Sequence, residues 1–312
     1  MKSWDRAVAT HLQIVDKFLE ISGIESGTAS VLKNELLRYM NTRLNRGFWL
    51  HPEITRFHTE WYRELYRVTG LSDPYLEIKN RSNGFASKII SQITIRNLRE
   101  AVNASIVGNR LDFGVFHYDP EKLPVAVEDF SNLPGLPFLY DDYPELESAI
   151  RNAASIAYIT DNHGEILFDG VVVDKIKAMK PDCRIYLAGK ASPMLNDVTA
   201  DELLQLGFRD KCHVVSTGSN CFGVPVDEIS NEFLNILQSA DVIIAKGQAL
   251  FEFWIEYNYP KVFNLLYTKI PVLDPLLGEI PSGGNIIISS KNYALEGKKT
   301  DFENLACNEK AN

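Results

Sequence analysis

The second half of the chain alternates short runs of β-branched and apolar residues with stretches of helical periodicity. The runs predict strands, because they are short, mostly apolar and bounded by turn residues; they are Ser155–Thr160, Cys183–Ala188, His213–Thr217, Asp241–Lys246, Val262–Tyr267 and Asn285–Ser289. The stretches between them predict the helices Ile166–Met179, Asp201–Leu206, Asp227–Gln238 and Ala249–Tyr257. Since a helical crossover returns the chain to the same end of a sheet, this alternation predicts an α/β fold of three layers, with a mainly parallel sheet between helices, over residues 151–290.

Apolar residues in the first half recur mainly at the spacing of three and four that is typical of helices, as at Val15, Phe18 and Leu19. We therefore expect a helical domain over residues 1–150, ahead of the α/β domain. Residues 291–312 show neither pattern, and we expect a flexible tail there.

Acidic residues outnumber basic ones by 41 to 32, which gives a formal net charge of -9 at pH 7. No overall field attracts nucleic acid or an anionic membrane, so any anionic ligand has to be bound by local groups or a metal ion. The apolar runs are well short of the roughly 20 residues that a membrane helix needs, and the first residues lack the apolar core of a signal peptide. The charge and the missing apolar segments predict a cytoplasmic protein that binds neither nucleic acid nor membrane. The 4 cysteines form no Cys-x-x-Cys pair, which disfavours a zinc knuckle or a redox motif, and we expect reduced thiols.

Polar side chains follow several of the predicted strands, close to the point where each strand ends. They are Asp161-Asn162-His163-Gly164-Glu165, Gly189-Lys190-Ala191-Ser192-Pro193 leading to Asn196-Asp197, Thr217-Gly218-Ser219-Asn220 and Lys246-Gly247-Gln248. Ligands of open parallel sheets bind beyond the carboxyl ends of the strands, so we expect these groups to converge on one edge.

Such a set of oxygen donors is typical of metal-assisted chemistry on phosphate. A hard divalent cation takes carboxylate and amide oxygens as ligands, and Asp161, Asn162 and Asp197 are the candidates. Lys246 is the candidate to neutralise a phosphate oxygen, and backbone amides of the turn at 217–220 would complete an anion site. The same residue types also serve as helix caps and loop residues after strands, so this interpretation has a purely structural alternative.

Three common catalytic or nucleotide-binding motifs are missing from the sequence. No Gly-x-Gly-x-x-Gly follows the first predicted strand, no Gly-x-x-x-x-Gly-Lys-Ser/Thr occurs, and there is no Gly-x-Ser-x-Gly. A dinucleotide site, a P-loop and a serine hydrolase are therefore disfavoured.

The polar segments belong to an ordered set of motifs between about residues 70 and 255. The set is Asp73-Pro74-Tyr75 with Lys79 and Asn83, Gly108-Asn109-x-x-Asp112-Phe113-Gly114, Asp161-Asn162-x-Gly164-Glu165-x-x-x-Asp169, Asn196-Asp197-Val198-Thr199, Ser216-Thr217-Gly218-Ser219 and Ala240–Gln248 with Glu252. In this order the motifs resemble those of the metal-dependent damage-control phosphatases, a family catalogued as domain of unknown function 89.

The resemblance implies a helical amino-terminal domain on a Rossmann-like α/β/α domain. It also implies hydrolysis of small phosphate monoesters, such as sugar phosphates or damaged phosphometabolites, with a divalent ion of manganese, nickel, cobalt or magnesium. Asp161, Asn162 and Asp197 match the metal ligands of the family, and Lys246 matches its phosphate-binding lysine. The expected catalytic residues are then Asp161, Asp197 and Lys246. Substrate contacts are implied for Asn109 and Asp112, which match positions that face the site from the helical domain. We also expect substrate contacts at His163, which lies beside the metal pair in sequence, and at Glu165, Ser216, Lys246 and Glu252.

This chain departs from the family pattern at His163, where alanine is usual, and at Ala249-Leu250, where Gly-Asn is usual. It also lacks the amino-terminal Cys-x-x-Cys of many microbial relatives. The nucleophile stays open between a water molecule and the Asp161 carboxylate, and the oligomeric state and physiological substrate stay open too. Two other functions remain as alternatives: an S-adenosylmethionine-dependent carboxyl methyltransferase, and a non-catalytic protein that binds metal or phosphate.

Overall fold

A seven-stranded mixed sheet forms the centre of the fold, with the strand order β1-β10-β7-β5-β2-β3-β4. The structure is a computed structural model that describes residues 15–44, 54–110, 130–269, 272–274, 278–293 and 300–302. The strands of this sheet are β1 Tyr140–Asp141, β2 Ser155–Ile159, β3 Arg184–Gly189, β4 His213–Ser216, β5 Val242–Lys246, β7 Val262–Tyr267 and β10 Asn285–Ser289. Two small sheets pair β6 Tyr257–Asn258 with β11 Thr300–Asp301, and β8 Val272–Asp274 with β9 Gly278–Ile280.

The central sheet is parallel throughout, except where β10 runs antiparallel to β7. Both of its faces are covered by apolar packing, and alternate residues of one strand enter different clusters. Ile156 and Tyr158 of β2 pack on one side, whereas Ala157 and Ile159 pack on the other. A strand buried on both faces needs a continuous apolar run, which is the pattern that its sequence shows.

Helices lie on both sides of the sheet and give the fold its three layers. Their bounds are α1 Ser26–Leu44, α2 Ile54–Thr69, α3 Leu76–Ile90, α4 Leu98–Gly108, α5 Tyr143–Asn152, α6 Glu165–Met179, α7 Ala200–Gln205, α8 Asn231–Ser239 and α9 Gln248–Trp254. The helix α4 is almost wholly buried because it packs along α6. Both belong to the first face of the sheet, the one on which Ile156 and Tyr158 pack. The cluster on the second face includes Phe233 of α8 and Leu250 of α9.

The predicted α/β fold with a mostly parallel sheet is confirmed, and all six predicted strands are present within about a residue of their expected ends. One predicted helix starts later than expected, at Asn231 instead of Asp227. The reason is local, because the Ser230 side chain accepts a hydrogen bond from the Phe233 amide (3.1 Å) and caps the helix there. The short strands β1, β6, β8, β9 and β11 were not predicted, because two or three residues carry no periodicity.

The division of the chain at residue 150 stays a prediction. The described helices before that point do not stand apart from the sheet: α3 and α4 both pack on α6, and β1 joins β10 at the sheet edge. Of the expected flexible tail, residues 294–299 and 303–312 lie outside the described part. At Tyr293 and Phe302 the structure differs from the expectation, since both aromatic side chains are buried in apolar clusters.

Across the described residues, no helix has both the length and the apolar character that crossing a membrane requires.

Candidate active site

The carboxyl ends of β2, β3 and β5 meet at one edge of the sheet, and a cleft lies there. The strand β2 is the point at which the chain order reverses, since β3 follows it on one side and β5 lies on the other. Ligands of open α/β sheets bind at such a reversal. The polar lining of the cleft is Thr160, Asp161, Lys190, Asp197 and Thr217, and its apolar lining includes Phe222, Val224, Ala249 and Leu250.

Two amides hold the Asp161 carboxylate in place. Its Oδ2 accepts hydrogen bonds from Nδ2 of Asn109 and Nδ2 of Asn162, each at 2.8 Å. The orientation of the Asn109 amide is itself fixed, because the backbone N–H of Tyr267 donates to its Oδ1 (3.1 Å). Asn109 is buried, so it reaches the site as a support for Asp161.

Gly247, at the end of β5, lies directly against the same carboxylate. Its φ is +83°, and a Cβ built there would overlap the carboxylate atoms of Asp161. Only glycine therefore allows β5 to turn into α9 at this distance from Asp161.

The backbone brings Asp197 beside Asp161. Asn162 and Asp197 form an isolated antiparallel bridge, and the N–H of Val198 donates to the carbonyl of Asp161 (2.9 Å). The N–H of His163 donates in turn to the carbonyl of Asn196 (2.9 Å). The two loop segments run side by side, so both carboxylates line the cleft.

The oxygen donors in and beside this cleft suit a hard divalent ion; Asp161 and Asp197 line the cleft, whereas Asn162 lies next to it and is not among the lining residues. Asp161, Asn162 and Asp197 offer two carboxylates and one amide, which is an oxygen-rich set that leaves coordination positions to water and substrate. A cationic group is already present, because Nζ of Lys190 lies 3.3 Å from Oδ2 of Asp197. Among the described residues, no three histidine, cysteine or acidic side chains lie close enough together to hold a metal ion. A metal site at this cleft therefore also needs the amide oxygen of Asn162.

Lys246 lies beneath the cleft in a fully buried ionic cluster. Its Nζ pairs with Oε1 of Glu165 and lies 3.1 Å from Oδ1 of Asp169. Oδ1 of Asp169 also accepts hydrogen bonds from the hydroxyls of Ser105 (2.6 Å) and Tyr158 (2.7 Å). The side chains of Lys246, Glu165 and Asp169 are all 0% exposed. Lys246 is thus not among the residues that line the cleft.

The charged groups in this cluster shift each other's pKa values. Burial favours the neutral form of Lys246, but Asp169 and Glu165 outweigh it and raise the pKa of the lysine above its ordinary value. Burial raises the pKa of Glu165, and Asp169 adds to this effect while Lys246 opposes it. Glu165 also accepts a hydrogen bond from Nδ2 of Asn109 (2.6 Å), so the cluster is connected to Asp161 through one amide.

His163 points away from the cleft, toward α3 and α7. Nδ2 of Asn83 lies 2.9 Å from its Nδ1, and the Gly164 N–H donates to Oδ1 of Asn83 (2.7 Å). Because that backbone contact fixes the Asn83 amide, Nδ1 of His163 is the acceptor. Its Nε2 lies 3.1 Å from Oε2 of Glu202. Burial would raise the pKa of Glu202, but His163 and Lys79 together hold it well below its usual range.

The remaining residues predicted for the site lie elsewhere. The hydroxyl of Ser216 accepts from the N–H of Gly218 (3.1 Å), and Glu252 accepts from Nε2 of Gln248 (2.8 Å) on α9. Neither belongs to the cleft lining in the part of the chain that is described. Asp112 lies outside the described residues.

Sequence reasoning passed over two residues of the cleft, Lys190 and Thr217, as individual candidates. A signal was present for Lys190, because it follows β3 directly, much as Asp161 follows β2. Asp169 was named only as the last member of the family motif that starts at Asp161. Tyr158 gave no signal, since a residue within a strand is not marked by its position.

The fold and the cleft define a Rossmann-like α/β protein with paired carboxylates at the ligand edge of its sheet. Residues 11–281 match the family described as the damage-control phosphatase ARMT1-like domain, and the chain belongs to that family. This confirms the resemblance of the motifs, and it supports a phosphatase role.

Known relatives agree with this assignment. The chain is 37% identical over 235 residues to the damage-control phosphatase PH1575 of Pyrococcus horikoshii, covering 74% of this chain and 79% of that one. It is 29% identical to a damage-control phosphatase of Archaeoglobus fulgidus, over 72% of this chain and 79% of the other. A crystal structure of the DUF89 family protein from Pyrococcus horikoshii superposes with a TM-score of 0.79 and 29% identity, covering 93% of this chain and 98% of that one.

Proposed function

We propose that this protein is a divalent-metal-dependent phosphatase that hydrolyses small phosphate monoesters, such as sugar phosphates or damaged phosphometabolites. The observation that carries the proposal is the pair Asp161 and Asp197, which line one cleft at the reversal of strand order. The names of the relatives, damage-control phosphatases, support the same reaction.

Asp161, Asn162 and Asp197 are the residues that would hold the metal ion. A divalent ion bound there supplies Lewis-acid polarisation of a phosphoryl oxygen. The oxygen donors suit manganese and magnesium, and nickel and cobalt also bind such sites when the geometry allows.

The chain itself orients the Asp161 carboxylate and lines part of the cleft with apolar side chains. Asn109 and Asn162 fix the Asp161 carboxylate before substrate arrives, so no reorganisation is needed when charge develops. Phe222 and Leu250 form part of an apolar wall of the cleft. Lys246 belongs to the proposed catalytic set as a buried positive charge, and it has to exchange its contacts with Glu165 or Asp169 before it reaches a phosphate oxygen.

Phosphate release from an aryl phosphate, sugar phosphates and phosphopantetheine compounds tests the proposal. Each substrate is assayed with a chelator and with added Mg, Mn, Co or Ni. We expect metal-dependent release that falls at least about 100-fold in Asp161→Ala and in Asp197→Ala.

Asp174→Ala is the matched control, because Asp174 is an exposed acidic residue paired with Lys211 (2.7 Å) away from the cleft. It should retain the activity of the wild type. Full activity in Asp161→Ala, or release that a chelator leaves unchanged, would contradict the proposal.

A further inference from the structure

Lys190 enters the cleft from the end of β3 and is held there by three contacts. Its Nζ lies 3.3 Å from Oδ2 of Asp197 and donates to the backbone carbonyl of Cys221. The same nitrogen lies 5.3 Å from the ring centroid of Phe222, over its face. These contacts fix an ammonium group at the wall of the cleft, with 15% of the side chain still exposed.

The contacts of Lys190 leave donor capacity for a ligand. A lysine ammonium has three N–H donors. Among the described residues, the carboxylate of Asp197 and the carbonyl of Cys221 take two of them. The distance to Asp197 is longer than the 2.7–2.9 Å or so of a strong charge-assisted hydrogen bond, so this contact is easily exchanged.

No other residue in the cleft lining carries a basic side chain, as far as the described residues go. Lys246, which the family motif points to, is 0% exposed and already has two buried carboxylates as partners. The two lysines therefore differ in the property that matters for a ligand, which is access to the cleft.

Charge balance gives the accessible lysine a role. The cleft carries two carboxylates, and a phosphate monoester at neutral pH adds up to two negative charges. One divalent ion leaves two of these charges uncompensated, and an ammonium group compensates one more. A metal ion held by Asp197 would weaken the contact of that carboxylate with Lys190 and would leave the ammonium group to the nearest anion.

We propose that Lys190 is a further catalytic residue of this site and that it contacts the phosphoryl oxygens of the substrate from the cleft wall. This rests on the proposed phosphatase function. Lys190 forms no covalent bond with the substrate; it donates hydrogen bonds to phosphoryl oxygens and offsets the charge that develops on them in the transition state.

Calorimetric titration with inorganic phosphate, at a saturating concentration of the most active metal, tests this role directly. In Lys190→Met we expect the Kd for phosphate to rise about 10- to 100-fold, since a hydrogen bond to a charged group is lost. The kcat/KM should fall by a similar factor. The Kd for the metal alone should stay equal or decrease, because a competitor for Asp197 has been removed.

Lys261→Met is the matched control. Nζ of Lys261 also donates to a backbone carbonyl, that of Gln238 (2.7 Å), and lies 4.9 Å from the ring centroid of Tyr259. It makes the same kinds of contact at the opposite end of the sheet, so it should leave phosphate affinity unchanged. Lys190→Gln, which can still donate to the Cys221 carbonyl, replaces the methionine variant if that one does not fold.

The outcomes separate the two proposals. If the wild type hydrolyses phosphate esters and Lys190→Met or Lys190→Gln binds phosphate within twofold of the wild type, the role of Lys190 is overturned and the phosphatase function stands. If the wild type neither binds phosphate nor releases it with any metal, both proposals are overturned.

Discussion

Asp161 is held by four other residues, three at its carboxylate and one, through the Val198 amide, at its backbone carbonyl. Asn109 comes from the end of α4, Asn162 from the next position, Gly247 from the end of β5, and the Val198 amide from the loop after β3. A single carboxylate is thus positioned by several backbone segments, and substitutions at residues that never touch substrate should still alter activity.

Gly247→Ala is the substitution of this kind that should disturb the Asp161 carboxylate most directly. The new Cβ would overlap the Asp161 carboxylate, and the backbone conformation strongly disfavours alanine, so we expect a loss of about 2 kcal/mol of stability together with a large loss of activity. The control is Gly207→Ala, where φ is +82° but no atom stands within 4 Å of the added Cβ. It should cost about 1 kcal/mol and leave the turnover rate unchanged. Wild-type turnover in Gly247→Ala would show that Asp161 does not need this close contact.

Asp241 should contribute a pH-dependent part of the stability. The N–H of Ser155 (2.9 Å) and that of Ala154 (2.8 Å) donate to its carboxylate and hold its pKa below the ordinary value, against a smaller opposing effect of burial. A carboxyl group whose pKa is lowered by folding stabilises above its unfolded pKa of roughly 3.9 and loses this effect as the pH falls. Urea unfolding should therefore show Asp241→Asn to be less stable than the wild type at pH 7, with the gap narrowing below about pH 4. A gap that is the same at pH 7 and pH 3 would contradict this.

At the level of elements, the sequence was a good guide to long apolar runs and a poor one to short contacts. The buried strands β2 and β5 were predicted because both faces are apolar, and their ends placed Asp161 and Gly247 at the ligand edge. The burial of the Lys246 side chain against Glu165 and Asp169 could not be predicted in the same way. Whether the last residue of a strand faces a cleft or a buried carboxylate depends on α6 packing over it, and no local pattern carries that information.

Lys79 connects two elements that are far apart in sequence. Its Nζ is fully buried between Asp73 (2.9 Å) before α3 and Glu202 (3.0 Å) in α7. Lys79→Met removes one charge and leaves two carboxylates facing each other, so we expect a loss of about 3 kcal/mol in the free energy of unfolding. Lys88→Met changes an exposed lysine of the same helix and should cost less than about 0.5 kcal/mol. Equal stability of the two variants would mean that the bridge between α3 and α7 contributes nothing.

At the scale of the whole molecule, residues near the end of the chain pack into the core of the second face. Phe302 is 0% exposed, and its ring centroid lies 5.0 Å from that of Trp254 and 5.1 Å from that of Tyr259. A flexible tail was expected here because a single aromatic residue in a polar segment carries no period. Phe302 is buried because its ring packs against the aromatic rings of Trp254 and Tyr259.

Phe302→Ala should therefore destabilise the whole fold by about 3 kcal/mol or more, because it opens a cavity among aromatic rings. Chemical denaturation followed by far-ultraviolet circular dichroism measures the change. Leu76→Ala truncates a large apolar side chain that is 55% exposed, and it should have an effect below about 0.5 kcal/mol. A Phe302→Ala variant as stable as this control would mean that the chain end is not part of the core.

The position of β10 determines when the central sheet can be completed during synthesis of the chain. This strand is formed by residues 285–289, yet it inserts between β1 at residues 140–141 and β7 at residues 262–267. Until residues 285–289 have been synthesised, β1 has no partner in the central sheet and β7 has an open edge. Both gaps close only once β10 has emerged, so a nascent chain, or one terminated before residue 285, presents an unpaired strand edge that favours aggregation.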